Sequence, residues 1–162
     1  MTDEAHGVVV RERVYLDDLD GYGMLHHARF ATIIDRAVID FWLDSGWTPS
    51  DRDFVQVVRE IHIEYLAPVR GLCDLSVRLR VTDVSESSAT YRFEIASDHS
   101  ATLHARGSRV IVNLDADTLR PSPFPEQMWA VARPLLAEEG RRSRSGERDR
   151  GSRKPEDSSV DR

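Results

Sequence analysis

Between residues 27 and 45 the apolar positions recur with a helical period. Phe30, Ile33, Ile34, Ala37, Val38 and Phe41 fall at i, i+3, i+4, i+7, i+8 and i+11, which makes one stripe along one helix face. Trp42 and Leu43 widen the stripe near its end, and Gly46 is placed to stop the helix. Arg29, Asp35, Arg36, Asp40 and Asp44 face elsewhere. The spacing predicts a helix from His27 to Ser45, roughly 28 Å long at about 1.5 Å per residue.

Around that helix the period is two. Strands are predicted at Val8–Leu16, Arg59–Tyr65, Asp74–Thr82, Ala89–Ser97 and Leu103–Leu114. The third alternates cleanly, with Leu75, Val77, Leu79 and Val81 against Ser76, Arg78, Arg80 and Thr82. In the last, the apolar set changes parity near Gly107, which predicts a bulge there. Pro121, Pro123 and Pro125 end the strand region, and a short helix is expected over 125–139, broken at Pro134. One strand, one long helix and four strands on short turns describe an α+β domain. The expected architecture is an antiparallel sheet wrapped around one long central helix.

Composition sets the limits of that domain. The 162 residues carry 40% apolar and 31% charged side chains, the balance of a soluble globular chain. Residues 140–162 contain one sizeable apolar residue, Val160, and are expected to be a disordered charged tail after a domain spanning 1–139. The tail holds eight Lys/Arg and five Asp/Glu, which leaves the rest of the chain at a net charge of −9. Such acidity argues against nonspecific nucleic-acid binding, so a phosphate-bearing ligand needs a local arginine cluster. No apolar run approaches the ~18 residues of a membrane span. MTDEAHGVVV does not read as a secretory leader, and Cys73 is the only cysteine, so the expected location is cytoplasmic.

The chemistry-bearing stretch is Asp18-Leu19-Asp20-Gly21-Tyr22-Gly23-Met24-Leu25-His26-His27-Ala28-Arg29-Phe30. It sets acids in a glycine loop just before the long helix. A helix N-terminus presents unsatisfied N–H groups and partial positive charge, which stabilise a carboxylate or a developing oxyanion. The pattern suits hydrolysis of an activated carbonyl. The plainer reading of each acid is a helix cap.

Asp-x-Asp-x-x-Gly-x-x-x-His, with an aromatic three residues on, resembles the hotdog-fold thioesterases of the 4-hydroxybenzoyl-CoA type. Within them it is similar to the acyl-CoA thioesterases of the Tol-Pal-associated branch. The resemblance continues at Ile63-Glu64-Tyr65-Leu66-Ala67-Pro68-Val69-Arg70 and closes at Leu119-Arg120-Pro121, covering about residues 8–125. It implies that Asp20 is the catalytic carboxylate and that Asp18 is not the chemical group. It also implies that His27 is the histidine of that branch, with its backbone N–H aimed at the thioester carbonyl. Met24 departs from relatives that carry histidine after the glycine. Family members that use a helix glutamate are a poor match, since this helix offers only Asp35, Asp40 and Asp44.

The implied function is hydrolysis of acyl-CoA or acyl-carrier-protein thioesters, by nucleophilic attack of Asp20 or by Asp20 acting as general base on water. The alternatives are a hotdog hydratase or dehydratase and a non-enzymatic acyl-CoA-binding protein. Substrate contacts are expected from Tyr22 and Gly23 in the loop. Arg78, Arg80 and Arg92 are expected on the CoA phosphates, where bidentate guanidinium suits the ligand. Arg106 and Arg109 follow them in sequence. A solvated sheet face is the plainer role for each arginine alone. Tyr22, Trp47 and Phe54 are candidates for the acyl pocket or the dimer seam, with core or interface packing as the simpler role. His62 and His104 are expected on the strand surface. No metal, no cofactor and no nucleic acid are expected. A homodimer or homotetramer is, because a single sheet leaves an edge and an apolar face to cover.

Overall fold

The computed structural model describes residues 7–46, 55–98 and 102–136. Trp47, Phe54, His99 and the tail from residue 140 lie outside them. The chain forms β1 (Val8–Arg13), a 3-10 turn (Leu16–Asp18), α1 (Arg29–Asp44), β2 (Val55–Tyr65), β3 (Asp74–Val84), β4 (Ser88–Ser97) and β5 (Leu103–Leu114). After these come α2 (Glu126–Ala132) and a 3-10 turn at Arg133–Leu135. The strands make one antiparallel sheet in the order β1-β3-β4-β5-β2, so β1 and β2 are its edges.

The helix expected over 27–45 forms over 16 residues, two residues late and one early. Its stripe holds. Phe30, Ile33, Ile34, Ala37, Val38 and Trp42 are buried against Leu75, Val77 and Leu79 of β3 and Tyr91, Phe93 and Ile95 of β4. Ile33 and Ile34 are fully buried, and each contributes about 2 kcal/mol of hydrophobic stabilisation. Leu43, expected to widen the stripe, instead stays exposed. Leu135 and Leu136 close the core from the C-terminal side, where Leu136 bridges Val81.

The bulge expected at Gly107 sits elsewhere. Ile95 pairs with Ala105 and Ala96 with Leu103, which leaves His104 as the extra residue of β5. A second irregularity falls at Arg59, between the Val58–Ile111 and Glu60–Val110 pairs. Register through Gly107 is regular. The glycine is there for space: a Cβ would stand 1.9 Å from the His62 carbonyl oxygen and 2.7 Å from the Phe93 ring. The misleading parity came from Val110 and Val112, which lie on the sheet face away from α1, in register with Thr90 and Ser88.

Candidate active site

The two motif segments meet in space. Leu25 N–H donates to the Val69 carbonyl at 2.9 Å, Gly71 N–H donates to the Gly23 carbonyl at 3.0 Å, and Met24 bridges Arg70. The acidic loop is thus stitched to the segment that leaves β2. Between them lies a cleft of about 360 Å³. Asp20, Met24, Leu25, His27 and Phe30 form one wall, and Tyr65, Leu66, Ala67 and Pro68 form the other.

Asp20 caps no helix. Its Oδ1 accepts the N–H groups of Tyr22 at 2.8 Å and Met24 at 3.1 Å, an Asx-type turn inside the loop. Gly23 makes this possible, since its φ of 71° is a left-handed conformation that glycine adopts without penalty. Oδ2 accepts no hydrogen bond from the described residues. One carboxylate oxygen is therefore held and the other is unbonded among the described residues, on a residue that lines the cleft.

Asp18 does not cap α1 either. It is wholly buried and accepts hydrogen bonds from Arg36 at 3.0 and 3.3 Å and from the Tyr15 N–H at 3.0 Å, with Arg29 at 3.9 Å. Burial pushes its carboxyl up. The Arg36 hydrogen bond, the Tyr15 amide and the charges of Arg36 and Arg29 outweigh that and hold it below the usual carboxylate range. Its carbonyl accepts the His26 N–H at 2.9 Å, which closes the loop around Asp20.

The helix begins without a side-chain cap or an acid in its first turn, and Ala28 is its N-cap residue. The Ala28 N–H donates to His26 Nδ1 at 3.2 Å, while the His27 N–H meets no acceptor among the described residues. The His27 ring stacks on His26 with centroids 4.2 Å apart. The His27 carbonyl accepts the Tyr65 hydroxyl at 3.1 Å, and the Tyr65 ring meets Phe30 edge to face. Asp20, with one oxygen unbonded among the described residues, and His27, whose N–H is likewise unbonded among them, both line one apolar-walled cleft beside the start of α1. That arrangement can polarise a carbonyl and attack it or activate water beside it.

The remaining expected contacts do not join this cleft. Tyr22 points outward and is 86% exposed, and Gly23 contributes backbone bonds, to Asp20 within the loop and to Gly71 outside it. Arg78, Arg80 and Arg92 come together as expected, but on the sheet face turned away from α1. They line a depression of about 190 Å³ with His62, Glu64, Glu94 and Arg106. Across β3, β4, β5 and β2, Arg78, Glu94, Arg106 and Glu64 stand in one row. In that row Arg106 donates to Glu64 at 2.7 Å and Arg78 lies 3.9 Å from Glu94. The next row is Arg80, Arg92, Ser108 and His62, and its two arginines have no carboxylate partner among the described residues. Arg109 faces the other way and pairs with Asp35 of α1.

Sequence reasoning missed three groups. Arg36, assigned to the helix's polar side, is the partner of Asp18. Glu12 is buried on β1, where Val8, Val10 and Val14 mark an inward alternation that a glutamate should not join. Burial and the nearby charge of Asp40, opposed by Arg36, push its carboxyl up to about 7. His104 is buried too, against the expectation of a surface position, and holds Ala67 of the cleft wall.

A five-stranded antiparallel sheet with a helix on one face, an acid-bearing loop before that helix and a cleft between loop and sheet edge suit a small hotdog-type thioester hydrolase. The chain belongs to the thioesterase-like superfamily, whose family model matches residues 14–131. It is 26% identical over 94 residues to acyl-CoA thioesterase YbgC of Helicobacter pylori, covering 58% of this chain and 71% of that one. To acyl-CoA thioesterase YbgC of Haemophilus influenzae it is 24% identical over 123 residues, covering 74% and 89%. In three dimensions it is similar to a 1,4-dihydroxy-2-naphthoyl-CoA thioesterase from Synechocystis, with a TM-score of 0.72 at 24% identity over 78% of this chain and 96% of the other. A DHNA-CoA thioesterase from Staphylococcus aureus gives 0.68 at 19% identity over 77% and 87%. These two structural likenesses establish the fold.

Proposed function

We infer that this protein hydrolyses acyl-CoA thioesters to a free carboxylic acid and CoA, at the cleft between Asp20 and Tyr65. The observation that carries the reading is Asp20, a residue of the cleft wall whose carboxylate is anchored through one oxygen by two backbone amides and has no donor on the other among the described residues, with His27 lining the same cleft. The thioester carbonyl accepts the His27 N–H, and the N-terminal end of α1 stabilises the charge that develops on its oxygen. Asp20 either attacks the carbonyl carbon, expelling CoA thiolate and leaving a mixed anhydride for water to cleave, or takes a proton from water as that water attacks. The His27 ring, exposed at the mouth, orients water or protonates the leaving sulfur.

The sheet is read as wrapped around α1 in the hotdog manner. Arg78, Arg80 and Arg92 are assigned to the CoA phosphates, because Arg80 and Arg92, without a carboxylate partner among the described residues, face each other and an anion between them relieves their repulsion. Among the described residues β1 and β2 have no strand beyond them, and β2 exposes Val57, Val58, Ile61 and Tyr65, which supports a homodimer or homotetramer. Tyr22 then belongs to a site shared between protomers. The lone cysteine speaks for a cytoplasmic location. The segment 140–162, outside the described residues, is taken as dispensable for hydrolysis of small acyl-CoA substrates.

The test is thioester cleavage across a panel of acyl lengths on CoA and on carrier protein, with Asp20→Asn as control. Cleavage by the wild type that the variant lacks supports the reading. Tight acyl-CoA binding without turnover in either protein would replace it with a binding function.

A further inference from the structure

His104 is tied to the cleft from three directions. It is the bulge residue of β5, with no register partner on β4, so its side chain turns into the structure beside that of Ala105 and is buried. Its carbonyl accepts the N–H groups of Leu66 at 2.8 Å and Ala67 at 3.2 Å. Its Nδ1 lies 3.2 Å from the Ala67 carbonyl oxygen, and its Nε2 lies 2.6 Å from Ser97 Oγ on β4. A carbonyl can only accept, so Nδ1 carries a proton and donates to Ala67. One residue thus holds Ala67 by both its N–H and its C=O, at the point where β2 ends after Tyr65 and the chain bends into the cleft wall.

A regular strand needs no such clamp. Leu66 and Ala67 lie beyond the last β2–β5 pair, Tyr65 with Ala105, and have lost the ladder that fixed the preceding residues. Pro68, which follows, has no N–H to donate. Tyr65 before the wall and Val69 after it are tied to the acidic loop, and between them it is His104 that holds Leu66 and Ala67.

We propose that His104 is a positioning residue for the acyl group: its Nδ1–H bond to the Ala67 carbonyl sets the Leu66–Ala67–Pro68 wall against Asp20. The inference rests on the reading of the cleft as the thioester site. It makes no use of His104 as an acid or a base. A misplaced wall lets the carbonyl drift from Asp20, and a displacement of about 1 Å is enough to cost up to ~10² in rate.

Two substitutions separate the donor from the bulk. In His104→Asn the amide nitrogen takes the place of Nδ1 and still reaches Ala67, while the bond to Ser97 is lost. In His104→Gln the amide extends toward Ser97 and the donor to Ala67 is lost. Melting temperature, kcat/KM on a short acyl-CoA, inhibition by free CoA and binding of a non-cleavable acyl-CoA thioether are measured for both and for Ser97→Ala. The expected result is a loss in kcat/KM of about tenfold or more for His104→Gln, with His104→Asn and Ser97→Ala within about threefold of wild type. Free CoA should inhibit all of them equally, and the thioether should bind His104→Gln more weakly. Equal losses in the two His104 variants, or losses that follow melting temperature, overturn the proposal. If the wild type binds the thioether and cleaves nothing, the hydrolase reading fails and the thioether affinities alone decide the role of His104. If the thioether does not bind at all, both fail.

Discussion

Asp18 and Arg36 form a two-point ion pair at 3.0 and 3.3 Å that fastens the acidic loop to the middle of α1. The two acids of the Asp-x-Asp motif therefore do different work. Asp18 is sealed in the protein and spends both oxygens on Arg36, whereas Asp20 lines the cleft with one oxygen unbonded among the described residues. Removing one partner of a buried pair leaves the other charge uncompensated. Asp18→Asn should cost about 3 kcal/mol, the low end of that effect, because Arg36 keeps 30% of its side chain in solvent. Asp20→Asn should leave the melting temperature near wild type and lower kcat by ~10²–10⁴. Thermal melts and kinetics on the two variants check this, and equal profiles would remove the division of labour.

Glu12 makes stability depend on pH in the direction opposite to Asp18. Its folded carboxyl is raised to about 7 from an unfolded value of 4.5, so the folded state keeps a proton that the unfolded state releases. Stability from this group is fully present below about 4.5 and falls as pH rises to about 7, after which the loss is complete. The span corresponds to roughly 3 kcal/mol at most. Glu12→Gln keeps the shape and removes the titration. It should match wild type near pH 4.5 and exceed it in denaturant midpoint at pH 8. A constant offset between the two across that range would show that Glu12 does not titrate there.

Much of the architecture was legible because the patterns were strong. A six-position helical stripe and four alternating strands leave little freedom, and β5 was bounded correctly at both ends. The site was legible only as two motifs. Their joining through Leu25–Val69 and Gly23–Gly71 is a backbone event that no side-chain pattern announces. Arg36 was missed because a charged residue on a helix is read as solvated by default, and only the fold brings a buried acid beneath it. His104 was missed because a bulge shifts side-chain direction by one residue, and the apparent break at Gly107 drew attention three residues too late. The arginines were grouped correctly by parity, yet parity says nothing of which face the cleft opens on.

Gly107 offers a test of the register itself. A methyl group there would meet the His62 carbonyl of the neighbouring strand, a backbone atom that cannot turn aside. Gly107→Ala should destabilise by about 3 kcal/mol, the upper part of the range for overpacking, or fail to fold. Soluble yield and urea midpoint read the effect. An alanine variant as stable as wild type would mean that β2 and β5 are not aligned as described.

Arg80 and Arg92 should give changes of opposite sign in stability and in affinity. They face each other across β3 and β4 with no carboxylate between them, and like charges in that position are destabilising. Arg92→Met keeps much of the aliphatic stem and removes the charge. Relieving the repulsion should raise stability by about 0.5 kcal/mol. If the pair holds a CoA phosphate, the same change should raise KM for acyl-CoA about tenfold, since a charge-assisted hydrogen bond is worth roughly 1.5–3 kcal/mol. Turnover at saturation should hold, because the cleft at Asp20 is untouched. A truncated thioester that ends at the pantetheine and carries no phosphate should show no change in KM. Salt should weaken acyl-CoA binding less in the variant than in the wild type, as one ionic contact is gone. A stabilised variant with unaltered KM would take the arginine pair out of CoA binding, and a destabilised one would show that the two guanidinium groups do not repel.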